Sequence, residues 1–292
     1  MSRQHHLQQH LRQLAEISEI MNSMKNLAFM ENRKLARHLD CQRRVTRNIE
    51  AIAVDFLAFY PAAFSPVKHA QSVHLLIGSE RGFCGDFNEK LLHQAETRLK
   101  TDQVDSPLLI VVGHKLSTKL AEETSCVAFI DGPNVTDDIP AVLNQVTITV
   151  ETLRKQYGIV NLSVVFYDSE ADGIIEQKVL PPFQTLRGQS SPFTNPPLLN
   201  LAPPVFMADL VDHYLFAALH EIFFTSLMAE NQKRIQHMEG AIRHLDDKIA
   251  ALSRKGHLLR QEEITEELEV ILLTAESRSR PKRQIKFRAS DS

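Results

Sequence analysis

Apolar side chains recur at steps of three and four near both ends of the chain and form short unbroken runs through its middle. The two patterns predict different elements. Stepping by seven from Leu14 gives Leu14, Met21, Ala28, Leu35, Gln42, Ile49 and Phe56, and the companion positions are Ile17, Met24, Glu31, His38, Val45, Ile52 and Phe59. An a/d seam held over so many heptads predicts a long amphipathic helix, broken by polar residues at Glu31, His38 and Gln42. Toward the other end, Ile235, Met238, Ile242, Leu245, Ile249 and Leu252 alternate three- and four-residue steps and predict a second. Helices over 8–59 and 208–275 would be rods of roughly 75–80 Å and roughly 100 Å. Rods of that length cannot fold back into a small core, so the two are expected to pair as an antiparallel coiled coil. Gly240 and Gly256 each weaken the second by about 1 kcal/mol relative to alanine.

Proline placement supports the division, because proline breaks helix interiors. None of the 13 prolines precedes Pro61, none lies between Pro204 and Pro281, and seven crowd into residues 181–204. Between the helices the period changes. VHLLIG (73–78), LLIVVGH (108–114), CVAFID (126–131) and NLSVVFYDS (161–169) read as strands, and IIEQKVL (174–180) follows the Asp172-Gly173 turn as a closing strand. Residues 87–101, 115–123 and 136–157 read as helices between them. Apolar strands alternating with helices predict a mostly parallel sheet covered on both faces. The fold class is therefore α/β, a long antiparallel coiled coil of N- and C-terminal helices with an inserted Rossmann-like α/β domain. The boundaries expected are 1–60 for the first helix, 73–205 for the α/β domain, 206–275 for the second helix and 276–292 for a tail. That tail holds six basic and two acidic residues and reads as disordered.

Composition narrows the classes. The 33 basic and 36 acidic side chains leave a formal charge of −3, too small for a nucleic-acid or membrane-surface field. Cys41, Cys84 and Cys126 form neither a disulfide framework nor a zinc pattern and suit a reducing compartment. No apolar run approaches the ~20 residues of a membrane span, and MSRQHHLQQH lacks the apolar core of a signal peptide.

The stretch GSERGFCGDFN (78–88), between a strand and a helix, is the most suggestive of chemistry. Its glycines, Gly78, Gly82 and Gly85, lack the dinucleotide-binding spacing, and no acid ends the next strand near Val112-Gly113-His114. No Walker Gly-Lys-Ser/Thr occurs. Cys84 has no arginine six residues on, where Lys90 stands, and lacks nucleophile-elbow spacing. A small thiol filling a tight strand-to-helix turn, with Gly82 and Gly85 supplying the bend and Asn88 or Asp86 tying off amides, accounts for it more simply. His5, His6, His10, His237 and His244 offer no convincing metal spacing. No catalytic residue, cofactor or metal site is expected.

Five stretches follow in order along the chain: EIMNSMKNLAFMENRKLA (19–36), GSERGFCGDFN (78–88), EQKVLPP (176–182), LMAENQKRIQHMEGA (227–241) and RQEEITEELEVI (260–271). Through them the chain resembles the gamma subunit of the F-type rotary ATP synthase, as a divergent member. The first is similar to that family's N-terminal segment through Ile20, Met24, Lys25 and Ala28. GSERGFCGDFN is close to its Ser-Asp-Arg-Gly-Leu-Cys-Gly stretch, and EQKVLPP (176–182) fits its Gln…Leu-Leu-Pro strand. LMAENQKRIQHMEGA (227–241) matches through Glu230, Arg234, Met238 and Ala241. RQEEITEELEVI (260–271) is similar to the Arg-Gln-x-x-Ile-Thr signature. The resemblance implies a non-catalytic rotor that couples ion flow through a membrane sector to ATP synthesis or hydrolysis in a ring of alpha and beta subunits. The α/β domain would meet the epsilon subunit and the c-ring. Arg260, Gln261, Thr265 and Glu267 would grip the ring, with Met24, Lys25, Arg33 and Lys34 as further contacts. The location implied is peripheral, on the cytoplasmic face of a bacterial inner membrane, without direct bilayer insertion. Phe29, Glu31, Asn32, Phe216, Ala217 and the basic tail depart from the family pattern. The rivals are a free-standing coiled-coil adaptor, and an α/β enzyme with a pocket near 78–85 and 113–115.

Overall fold

The computed structural model describes residues 3–63, 70–101, 107–120, 126–158, 160–171, 173–186, 188–189 and 191–279. Helix α1 (Arg3–Phe59) runs without a break through the proline-free start of the chain. Strand β1 (Gln71–Ile77), α2 (Phe87–Thr101), β2 (Leu108–Val112), the single turn α3 (His114–Ser117) and β3 (Cys126–Ile130) follow. Then come α4 (Ile139–Tyr157), β4 (Val160–Asp168), β5 (Gly173–Leu180) and α5 (Pro203–Ser279). Helix α4 opens on Pro140, whose fixed φ suits a first turn, and stops at Gly158 with φ +82°. Among the described residues no helix is long and apolar enough to cross a membrane. The basic tail beyond Ser279 lies outside the described residues.

The chain divides into two compact units. One takes in α1 up to Asn22 and α5 from Gly240. Here the helices pair antiparallel: Leu7 lies against Gly256, and the Ser18 hydroxyl donates to Asp246 at 3.5 Å. A Cβ on Gly256 would stand 3.2 Å from the Leu7 methyl, so the missing side chain admits a close approach. Leu14, Met21 and Ile242 are buried in this unit.

The other unit runs from Ser23 to Glu239. The sheet order is β3-β2-β1-β4-β5, parallel except for β5, which returns antiparallel beside β4. Alternation along each strand sorts the side chains between two faces. Val73, Leu75 and Ile77, with Leu162, Val164 and Phe166, form one core with α4 and with Leu35, Phe56, Leu219 and Phe223 of the long helices. Leu76, Val111 and Val165 point the other way, onto Leu91 and Ala95 of α2 and Leu116 of α3. Antiparallel order of α1 and α5 recurs here: Asn32 donates to Gln232, Arg43 faces Glu221, and Phe56 packs on Phe206. The anticipated fold class is the observed one.

The packing seam of α1 differs from the heptad reading. Positions Leu14, Met21, Ala28, Leu35 and Phe56 are buried as expected. Their companions Ile17, Val45 and Ile52 are 46%, 41% and 47% exposed, while Ser18, Leu39, Thr46 and Ala53, one residue further on, are buried instead. Both covered stripes keep the seven-residue step, but the second lies four residues after the first rather than three, along an i, i+4 row, and this leaves an apolar flank of α1 without a cover.

Candidate functional site

Two features bear on function: the loop 78–88 and the uncovered flanks of the long helices. The loop leaves the C-terminal end of β1, where Gly78 N–H donates to Val112 at 2.9 Å. Gly78 has no room for a side chain, since a Cβ would come within 2.4 Å of the Leu116 Cβ. The chain reverses through two left-handed residues, Phe83 (φ +65°) and Gly85 (φ +61°). Gly85 meets the bend's need for that conformation at no steric cost. Gly82 has no left-handed φ, and a Cβ there would find nothing nearer than Lys115 at 3.9 Å. Asn88 closes the loop by accepting from Ser79 N–H at 3.0 Å and donating to the Ser79 hydroxyl at 2.8 Å. Asp86 instead pairs with Lys90 at 2.7 Å.

In doubly wound sheets, ligands bind at the C-terminal strand ends, where backbone amides can receive an anion. Here Glu80 supplies the anion from within. Its carboxylate accepts from His114 N–H at 2.8 Å and from Gly132 N–H at 2.7 Å, bridging the ends of β2 and β3. On the other side of the loop, Arg234 donates to the Gly82 carbonyl at 3.3 Å and to Asn231 at 2.6 Å, and pairs with Glu230. Burial pushes the Glu230 carboxyl upward, and Arg234 opposes that shift. Phe87 stacks on Tyr167 at 4.7 Å, and Lys233 lies over the Tyr167 ring at 5.6 Å. The charged side chains Glu80, Glu230 and Arg234 thus find partners across β1, β2, β3 and α5, while the Asn231 amide nitrogen is buried without a hydrogen-bond partner.

Cys84 is 5% exposed, with Sγ 3.5 Å from the carbonyls of Arg81 and Gly82. Burial, reinforced by Glu230, pushes its thiol up to about 12. A nucleophilic cysteine needs the opposite, a thiolate favoured by nearby positive charge.

The ring-contact candidates sit on the helices. Arg260, Gln261, Thr265 and Glu267 are all exposed on α5, and Thr265 donates back to the Gln261 carbonyl at 2.8 Å. Around them Leu258, Ile264, Leu268, Val270, Ile271, Leu272 and Leu273 are each about half exposed or more. On α1, Arg33 is exposed, while Met24 and Lys25 are partly covered. Lys34 donates to Asp137 at 2.8 Å, which raises its ammonium pKa. Glu31 accepts from Thr136 N–H at 3.2 Å and Oγ1 at 2.9 Å. Of the unusual α1 positions, Glu31 thus ties down the turn before α4 through Thr136, and Asn32 reaches Gln232 of α5. Phe29 and Phe216 are half-exposed, and Ala217 is buried. Sequence reasoning missed the part played by Glu80, for which no local signal exists. Glu230 and Arg234 could have been suspected as an ion pair, being four apart on one helix.

The chain is thus of the class in which an α/β domain is inserted between long N- and C-terminal helices. A sequence model described as ATP synthase matches residues 3–277. The ATP synthase gamma chain of Clostridium botulinum (strain Langeland / NCTC 10281 / Type F) is 24% identical over 283 residues, covering 93% of this chain and 96% of that one. The gamma chain of Clostridium perfringens (strain SM101 / Type A) is 23% identical with the same coverage. Among solved structures, a chain of the Euglena gracilis mitochondrial ATP synthase aligns with a TM-score of 0.60 at 14% identity, covering 97% of this chain and 98% of that one. A chain of the Tetrahymena thermophila central stalk and c-ring structure aligns at 0.54 and 17% identity, covering 76% and 99%. The chain belongs to the ATP synthase gamma-chain family. Its role is that of the central-stalk rotor subunit of an F-type ATP synthase.

Proposed function

We propose that this rotor chain is non-catalytic and presents the uncovered flanks of α1 and α5 to a ring of alpha and beta subunits. The observation that carries this reading is the apolar flank of α1. Ile17, Ile20, Leu27, Met30, Val45 and Ile52 are 41% to 67% exposed on a helix whose partner covers a neighbouring stripe. So much exposed apolar area marks an interaction surface. A shaft turning inside a ring needs one face to hold its partner helix and others to meet the three ring sites in succession. That is a coupling free energy carried by a stiff element. Met24, Lys25 and Arg33 on α1, and Arg260, Gln261, Thr265 and Glu267 on α5, are the polar contacts of that surface. Lys34 contributes less, being engaged by Asp137.

The α/β domain is the foot that meets the epsilon subunit and the c-ring. The chain works peripherally, at the cytoplasmic face of a bacterial inner membrane. Helix 1–60, domain 73–205, helix 206–275 and tail 276–292 are its working parts. Gly82, Cys84 and Gly85 belong to a structural turn.

Co-expression with alpha- and beta-type subunits tests the reading. The chain is expected to co-purify with them and to have no ATPase activity alone. Leu27→Glu, at a 67% exposed site, should leave its own thermal unfolding unchanged and weaken assembly. Failure to assemble, with a stable homodimer formed instead, would favour the adaptor reading.

A further inference from the structure

The sheet face turned away from the long helices changes character near its lower end. Beneath α2 it is apolar, with Leu76 beside Val165. Two residues back along each strand, His74 lies beside Ser163, and two further back Ser72 lies beside Asn161. On β5, Lys178 pairs with Ser163, so His74, Ser163 and Lys178 form one row across three strands. These side chains, with Gln184 after β5, line a cavity of about 290 Å³.

His74 and Ser163 are 4% and 8% exposed, yet a sheet position facing a helix layer ordinarily carries an apolar residue. Burying polar groups is costly unless they find partners. Among the described residues no hydrogen bond joins Ser72, Asn161, Ser163 or Lys178 to another side chain of the cavity. Behind His74, the Glu176 carboxylate stands 4.0 Å from Nδ1, and its Oε1 is buried without a hydrogen-bond partner. Glu176 thus directs its charge at the imidazole. The cavity wall itself presents an ammonium, two hydroxyls and two side-chain amides.

We propose that this cavity binds a small oxyanion. Lys178 supplies the charge, Ser72 and Ser163 donate hydroxyl hydrogens, and Asn161 and Gln184 donate from their amides. Glu176 keeps the ring of His74 in place at the floor. Free phosphate and small dicarboxylates share this chemistry and fit the volume, and the two probes separate them.

The test is calorimetric titration of the purified full-length chain with inorganic phosphate and, separately, with succinate, at constant ionic strength. Saturable binding of one of them is expected. Lys178→Gln and Ser163→Ala should each weaken it roughly tenfold or more, in line with loss of a charge-assisted or buried hydrogen bond. Lys178 is exposed, so its variant should keep the wild-type circular dichroism and melting curve. Lys155→Gln, at an exposed position on α4, should bind as the wild type does. The proposal is overturned if neither anion binds saturably, or if binding survives unchanged in both cavity variants.

Discussion

Replacing Arg234 by methionine removes the cation that faces a carboxylate with almost no access to water. The Glu230 side chain is 5% exposed and that of Arg234 is 7% exposed. Breaking one partner of a buried pair costs about 3–5 kcal/mol, because the remaining charge is left uncompensated. Glu230→Gln should cost a similar amount, since it strands the guanidinium. The double variant differs. Glutamine beside methionine leaves no charge buried. What is lost is the pair of Arg234 bonds to Gly82 and Asn231, worth about 1–3 kcal/mol in total. For a unit of about 200 residues, 1 kcal/mol shifts the melting temperature by about 2–4 °C. Each single variant should thus melt about 6–20 °C lower, and the double variant should recover most of that loss. Urea and thermal unfolding of the four proteins form a double-mutant cycle whose coupling energy is read directly. Additive single losses, or single losses below about 1 kcal/mol, would refute the account of a charge-paired joint between loop and helix.

Further outcomes concern the same loop and the helix flanks. Among the three glycines of the loop, Gly78→Ala should be the most harmful, by about 1–3 kcal/mol or more, because its Cβ collides with Leu116. Gly85→Ala should cost about 1–2 kcal/mol through its left-handed backbone, and Gly82→Ala should fall within about 0.5 kcal/mol of wild type; thermal melts order the three. In the folded chain a maleimide at neutral pH should label exposed Cys41 and spare Cys84 until denaturant is added. The Cys84 thiol holds its proton more tightly folded, near 12 against a reference of 9.0, so its stabilising effect is complete below about pH 9. It is then lost as pH rises toward 12, at about 1.4 kcal/mol per unit, and Cys84→Ala should abolish that slope in unfolding measured from pH 8 to 11.

The periodicity of apolar residues and the absence of proline settled that the chain begins and ends in long helices. The alternation of apolar runs with polar helices settled a mostly parallel sheet, because strands covered on both faces have no solvent side to mark with polar residues. These are local signals, each held within a window of one element. Which stripe of α1 meets α5 was not legible. The heptad positions Ile17, Val45 and Ile52 look like core, but the side from which neighbouring elements approach the helix covers Ser18, Thr46 and Ala53 instead, four residues after the first stripe rather than three. The loop GSERGFCGDFN was legible as a turn without catalytic spacing, but its purpose was not. Glu80 reaches amides 34 and 52 residues away, and Arg234 reaches a carbonyl 152 residues away. No pattern within the loop encodes such partners. They exist because the sheet order sets the ends of β1, β2 and β3 side by side and α5 passes over them, and only the closed tertiary structure does that.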